Sequence, residues 1–407
     1  MANPSSNVFT PPVLNSVIMT GLNNKGNECF INSAMQCLAA SPFIHEFIQH
    51  YKTDDIQLMN IINKYNLGKI DPTNMKNTII QILLNNTNII SDDKKILTHL
   101  CNHSDDIFIY LCVKNIINNL HSRTHNITTC NNLISVAREI TVGSEINNLF
   151  TGEQNDPHEL MVFLLDKLHN SKSSEANINL PNNFNTLEPY LKLYITHLKS
   201  TFSHNSSLFV KNFYYYMLNT INCNMCHKQS HDVSNNDIMC VSIPTQKLNN
   251  TTSNDTQISI EDCINDMFKL EYIEYTCEHC GNKLNNSSYK KIITTPKILI
   301  IKIKRYFQIG NNLCKNNKFI TYPETLDISQ HITTKNTNYS LYGVINHVGT
   351  MNSGHYYTYI KKYNIDAEKL IFSNDWYICN DRTISEISLS DVLVSKNAYM
   401  LFYYSNE

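Results

Sequence analysis

The chain has 407 residues, 42% of them hydrophobic, with 33 Lys and Arg against 35 Asp and Glu; it is long enough to bury a sizeable core or to divide into two or three domains. A formal net charge of -2 leaves no global basic footprint, which argues against electrostatic binding to nucleic acid or to an anionic membrane. No apolar run approaches the roughly 20 residues needed to cross a bilayer, and the first residues lack the basic-then-apolar layout of a signal peptide, so an intracellular protein is expected.

Residues 1–19 carry Pro4, Pro11 and Pro12 among small polar residues and read as an irregular leader. A Gly/Asn-rich loop from Gly21 then runs into a segment where Ile31, Ala34, Met35 and Leu38 recur at helical spacing until Ser41-Pro42. Cys29 falls in the first turn of that helix. There the positive end of the helix dipole lowers a thiol pKa and favours the nucleophilic thiolate. The competing reading is a small buried hydrophobe, which suffices for Cys37. A long helical region is expected to about residue 205, with turn-spaced runs at Ile107, Tyr110, Leu111, Lys114, Ile117 and Asn118 and again at Val136, Ile140 and 146–150. The Asn-rich stretches near 85–95 and 121–132 are expected as loops.

Asp156-Pro157 followed by Glu159 predicts a helix start, with an acidic cap, proline at the first position and glutamate three after the cap. Capping alone explains these residues. Gln154, Asp156 and Glu159 also place an amide and two carboxylates at one helix mouth, suited to an extended peptide carrying an arginine. From about residue 206 the pattern changes to short strands, as at 213–216 and 238–243. Cys223-Asn224-Met225-Cys226 and Cys277-Glu278-His279-Cys280 stand in this part. Two such pairs present four thiolates tetrahedrally, the closed set that structural zinc requires. The 13 cysteines of the chain, in a reducing compartment, point to metal ligands and a catalytic thiol before disulfides; Cys240 and Cys263 read as core.

The run 297–307 predicts a central strand in which Lys302 and Lys304 alternate with Ile301 and Ile303, one face buried and the other wet. Its cations alone make no nucleic-acid patch. Next come a strand ending at His347, a Gly-containing turn at 348–354 and a second strand opening with His355. Alone, His355 reads as a turn residue or as a base facing a cleft. Residues 375–381 hold the single tryptophan, Trp376, and the polar pair Asn380-Asp381, and 398–404 form a last strand.

Together these stretches resemble the ubiquitin-specific protease family of deubiquitinating cysteine peptidases. The resemblance is carried by Gly21-Leu22-Asn23-Asn24-Lys25-Gly26-Asn27-Glu28-Cys29-Phe30, by Gln154-Asn155-Asp156 with Glu159-Leu160, by the paired Cys-x-x-Cys, by Leu299-Ile300-Ile301 with Lys304-Arg305-Tyr306, by Gly354-His355-Tyr356 and by Trp376 with Asn380-Asp381. It spans about residues 20–405 and implies an α+β, papain-like cysteine peptidase: a helical thumb over 20–205 with Cys29, β-rich zinc-bearing fingers over 206–295, and a β-sheet palm over 296–407 with His355 and Asn380.

The implied reaction is hydrolysis after the C-terminal glycine of ubiquitin. Cys29 is then the nucleophile, His355 the base, Asn380 its orienting partner and Asn24 an oxyanion donor. Asp381 orients water or the oxyanion hole. Gln154, Asp156 and Glu159 line the channel for the basic ubiquitin tail, and the loops near 308–318 and 348–354 lie over the cleft. Cys223, Cys226, Cys277 and Cys280 hold one structural zinc ion. The expected partners are ubiquitin and ubiquitinated proteins, without nucleic acid or membrane. A monomer in the cytoplasm or nucleus is implied, in a host cell if the source is viral.

This sequence departs from the family pattern at Glu28, where threonine is usual, and at Asn155 and Tyr306. A carboxylate turned inward beside Cys29 would raise the thiol pKa, so Glu28 is expected to face solvent. Two other readings share the resemblance: an inactive ubiquitin-binding module disabled by Glu28 and the Asn-rich loops, and a peptidase for another ubiquitin-like modifier.

Overall fold

Cys29–Ala39 forms an eleven-residue helix in which every residue is buried, a mostly apolar or small helix enclosed by the fold, whose two amides, Asn32 and Gln36, are hydrogen-bonded inside. Ser41, which ends it, starts the next: its side chain accepts from the Ile44 N–H and Pro42 takes the first position of helix Pro42–His50. The computed structural model describes residues 19–405 except 71, 86–88, 123–126, 245–256, 284, 311, 334–337, 351–352 and 367–368. Most of the expected leader, 1–18, lies outside the described residues.

The Cys29 helix packs on an eight-stranded sheet. In spatial order its strands are Thr383–Ile387, Lys369–Asn380, Gly354–Asp366, Asn338–Gly349, Ala398–Ser405, Ile298–Lys304 and Ile238–Ser242, with Thr325–Asp327 beside Asn338–Gly349. Neighbours are antiparallel except Ile238–Ser242, which runs parallel to Ile298–Lys304. One face of this sheet joins the helical core through Ile298, Ile300, Ile345, Ile360 and Phe402. The other buries Leu299, Ile301, Ile303, Val344 and Leu401 with Ile260, Cys263 and Ile264 of helix Ile260–Met267. The wet face expected on strand 298–304 holds only at Lys304, which is exposed; elsewhere alternate residues feed two different cores, and Lys302 is half-buried in an ion pair with Asp156 at 2.9 Å.

Helices Lys52–Lys64, Pro72–Asn85 and Ser91–Asn102 enclose a smaller core of Leu58, Ile61, Ile62, Met75, Ile79, Leu97 and Leu100. Much of the loop expected near 85–95 is thus helical from Ser91, and helix Asn131–Ile140 begins inside the loop expected at 121–132; Asn is frequent here without marking breaks. The run at 146–150 is a 3-10 turn, Glu145–Phe150. A second, four-stranded antiparallel sheet contains Gln229–Asn236, Tyr215–Asn222, Asn286–Thr294 and Glu271–Ile273 in that order. Among the described residues no helix is long and apolar enough to cross a membrane.

Burial holds two structural histidines neutral. His121, with Nε2 2.8 Å from the Ala39 carbonyl, and His169, with Nδ1 2.6 Å from Ser207 Oγ, are both pushed down to about 4, chiefly by desolvation. The unfolded chain binds their protons near pH 6.5. Their contribution is therefore present above that value and lost as pH falls towards 4, at most about 3 kcal/mol each. The melting temperature is expected to fall steadily between pH 6.5 and 4.5 in calorimetry, and a flat profile over that range would refute the assignment.

Candidate active site

Cys29 sits at the start of its helix with a relative exposure of 3%. Burial pushes its thiol pKa up. The backbone N–H groups of Tyr356, Phe30 and Cys29 itself pull it down, and the Asp381 carboxylate pushes it up again. The expectation of a thiolate stabilised by the helix end is thus corrected: desolvation outweighs the dipole, and the resting sulfur keeps its proton.

His355 is the second residue of strand Gly354–Asp366. Its Nε2 lies 2.6 Å from Asn380 Oδ1, at the end of the adjacent strand Lys369–Asn380. An accepting amide oxygen places the proton on Nε2, which leaves Nδ1 as the basic nitrogen. The Cys29 helix packs on this strand, and the backbone N–H of the next residue, Tyr356, is among the groups that lower the Cys29 thiol pKa.

Asp381 follows in the left-handed region with φ 50, and its carboxylate is a junction. Oδ2 accepts from Asn24 Nδ2 at 2.9 Å and Oδ1 from Asn32 Nδ2 at 2.8 Å, while its carbonyl accepts the Leu22 N–H at 2.9 Å. Gly21 is required beneath this turn, since a Cβ there would lie 2.4 Å from the Arg382 carbonyl oxygen. Asn24 Oδ1 accepts from the N–H groups of Gly26 and Glu28 at 2.8 and 3.2 Å. These bonds fix the amide plane, and the second Nδ2 hydrogen has no partner among the described residues. An open cleft of about 660 Å³ is lined by Asn24, Gly26, Asn380, Asp381, Arg382 and Thr383.

Glu28 is half-exposed and turns back on its own loop, accepting the Lys25 N–H at 3.1 Å. It is not among the groups that shift the Cys29 thiol.

The three residues at the helix mouth have different fates. Asp156 caps helix Pro157–Ser171 through the His158 N–H at 2.8 Å, and its other oxygen accepts from Lys302 Nζ and Tyr399 Oη at 2.9 and 2.7 Å. Gln154 hydrogen-bonds both backbone groups of Gly354. Glu159 is exposed in the first helical turn. Asn32, Lys302 and Tyr399 escaped the sequence reading as site residues. Only Asn32 leaves a local signal, one of two amide side chains, with Gln36, in a helix of otherwise small and apolar residues.

At the far end of the smaller sheet, the sulfurs of Cys223, Cys226, Cys277 and Cys280 all lie within 4.8 Å of one another. Each pair turns through a tight loop, closed by bonds from the His227 N–H to the Cys223 carbonyl and from the Gly281 N–H to the Cys277 carbonyl. Sulfur separations of 3.5 Å for Cys223–Cys280 and 3.6 Å for Cys226–Cys277 are close to the spacing around a tetrahedral ion with bonds of about 2.3 Å. The donor set fits a metal ion.

A family model described as ubiquitin carboxyl-terminal hydrolase matches residues 20–403. A probable ubiquitin carboxyl-terminal hydrolase of Acanthamoeba polyphaga mimivirus is 24% identical, over 96% of this chain and 90% of that protein. Ubiquitin carboxyl-terminal hydrolase 5 of Saccharomyces cerevisiae is 23% identical, over 98% of this chain but only 49% of that one. Among solved structures, the SAGA DUB module of Ubp8, Sgf11, Sus1 and Sgf73 bound to monoubiquitin contains a similar fold. The TM-score is 0.63 at 22% identity, covering 98% of this chain and 72% of that chain.

Proposed function

The chain belongs to the ubiquitin carboxyl-terminal hydrolase family and is a deubiquitinating cysteine peptidase of mixed α and β structure; from this we propose that Cys29, His355 and Asn380 carry out its thiol-dependent cleavage after the C-terminal glycine of ubiquitin. The carrying observation is the His355–Asn380 bond of 2.6 Å, on the strand against which the Cys29 helix packs.

Because burial keeps the proton on sulfur, His355 Nδ1 takes it as Cys29 attacks the glycine carbonyl, and Asn380 holds Nε2–H through the transfer. The free N–H of Asn24 and the backbone N–H of Cys29 stabilise the oxyanion. Asp381 keeps the Asn24 amide aimed at it. His355 then protonates the departing lysine amine, and water, deprotonated by the same imidazole, hydrolyses the thioester. The exposed Glu159 supplies negative charge for the basic ubiquitin tail, with the Asp156 carboxylate behind it already paired with Lys302. Cys223, Cys226, Cys277 and Cys280 would hold one zinc ion, and four thiolate ligands would leave it a structural role with no position for catalysis. Ubiquitin and its conjugates are the substrates, met inside the cell.

The test is a ubiquitin probe with a C-terminal electrophile. Intact-mass analysis should find one adduct per chain, on Cys29, and none with Cys29→Ala. Folded wild-type protein that forms no adduct, or an equal adduct on Cys29→Ala, would sink the reading.

A further inference from the structure

The strand that carries His355 begins with an unpaired outer edge. Its neighbour Lys369–Asn380 pairs with it only from Thr358 opposite Cys379 onward, so the edge at Gly354 and Tyr356 is left to other groups. The Tyr356 N–H on that edge is among the groups that lower the Cys29 thiol pKa. At Gly354 the partner is the Gln154 side chain, which donates from Nε2 to the carbonyl oxygen and accepts the N–H on Oε1 at 3.0 Å. One carboxamide thus makes both bonds that a neighbouring strand would make.

Among the described residues no other hydrogen bond is made to Gly354 on that side. The residue has no room for a side chain, since a Cβ would lie 2.2 Å from His347 Nε2 and 2.6 Å from the Val348 carbonyl oxygen. Its other face is set by His347, itself held by Tyr306 Oη at 2.9 Å. Gln154 is anchored in turn. Its loop is tied to the nucleophile loop by Asn27 Nδ2 on the Gly152 carbonyl at 3.0 Å, and to the preceding turn by Asn155 Nδ2 on the Asn148 carbonyl at 2.9 Å.

We propose that Gln154 is a positioning residue for His355: by clamping both backbone groups of Gly354 to the loop that also touches the Cys29 segment, it sets the imidazole against the thiol. The proposal rests on the role given to His355 above and replaces the role of tail ligand that the family resemblance implies for Gln154. A misplacement of about 1 Å in the reacting groups can cost 10²-fold in rate.

The two roles separate with a small electrophile that does not use the ubiquitin channel. Chloroacetamide alkylation of Cys29, read by peptide mass spectrometry against pH, should be at least about tenfold slower at pH 7 in Gln154→Ala, with its rise displaced to higher pH, because the thiol loses its aligned base. With a fluorogenic ubiquitin substrate, kcat should fall by up to about 10²-fold with little change in KM. Gln154→Glu retains an acceptor for the Gly354 N–H but sets a carboxylate oxygen against the Gly354 carbonyl, and should share the defect while keeping the wild-type melting temperature. Unchanged alkylation with a raised KM in both variants would overturn the proposal in favour of a tail ligand. If wild-type protein cleaved no ubiquitin substrate, the proposed reaction would fail, while the alkylation comparison would still decide the role of Gln154.

Discussion

His355→Ala is expected to lower turnover of a fluorogenic ubiquitin substrate by about 10⁴–10⁶-fold, the range seen when the base of a nucleophilic triad is removed, while ubiquitin affinity is kept. The high end is favoured because the Cys29 thiol is held above its ordinary pKa of 9.0 by burial and by Asp381. An enzyme with a preformed thiolate retains a nucleophile when the imidazole is lost; this one retains a thiol. The sign of the pH dependence follows. With no base, only spontaneous ionisation supplies thiolate, so residual turnover should rise about tenfold per pH unit through neutrality and past pH 9. A loss smaller than about tenfold, or a residual rate flat between pH 6 and 8, would show that His355 is not the base.

Removal of metal is the second large effect. The four-stranded sheet has a small core at one end, where Tyr216, Leu218, Val233 and Ile293 meet Phe202. Towards the cysteine cluster its strands run through Asn219–Asn222, Gln229–Asp232 and 286–288, which are almost all polar. That end buries too little apolar surface to offset the entropy of ordering its chain. Structural zinc in small domains contributes about 10–16 kcal/mol of apparent folding free energy, so the ion would dominate there. Metal analysis should find about one ion per chain. After chelation, or in Cys277→Ser, amide exchange should become fast in Asn219–Asn222, Gln229–Asp232 and 286–288, while the eight-stranded sheet remains protected. Folded protein without bound ion, or unchanged protection after chelation, would refute the assignment.

The chemistry-bearing residues were legible because each sits in a local pattern with its own physical cause. Cys29 opens a helix after a Gly/Asn loop, the cysteine pairs have ligand spacing, and Asp156-Pro157 is a cap that the structure shows in place. The errors have one cause in common. The solvation of strand 298–304 and the protonation of Cys29 depend on groups far along the chain, and so do the partners that Gln154 and Asp156 find. Lys302 reads as wet until Asp156 comes to lie 2.9 Å away. Gln154 reads as a free amide until Gly354, 200 residues later, occupies it.

Read alone, the residue order establishes the kinds of groups present, the elements that begin or end at them and the family to which the chain belongs, since capping, spacing and periodicity act over a few residues. The folded chain establishes which of those groups share an edge, which lose water and which are already spent on one another. Desolvation and hydrogen-bond competition act through space, and for that reason the thiol of Cys29 stays protonated and Asp381 faces Asn24 and Asn32.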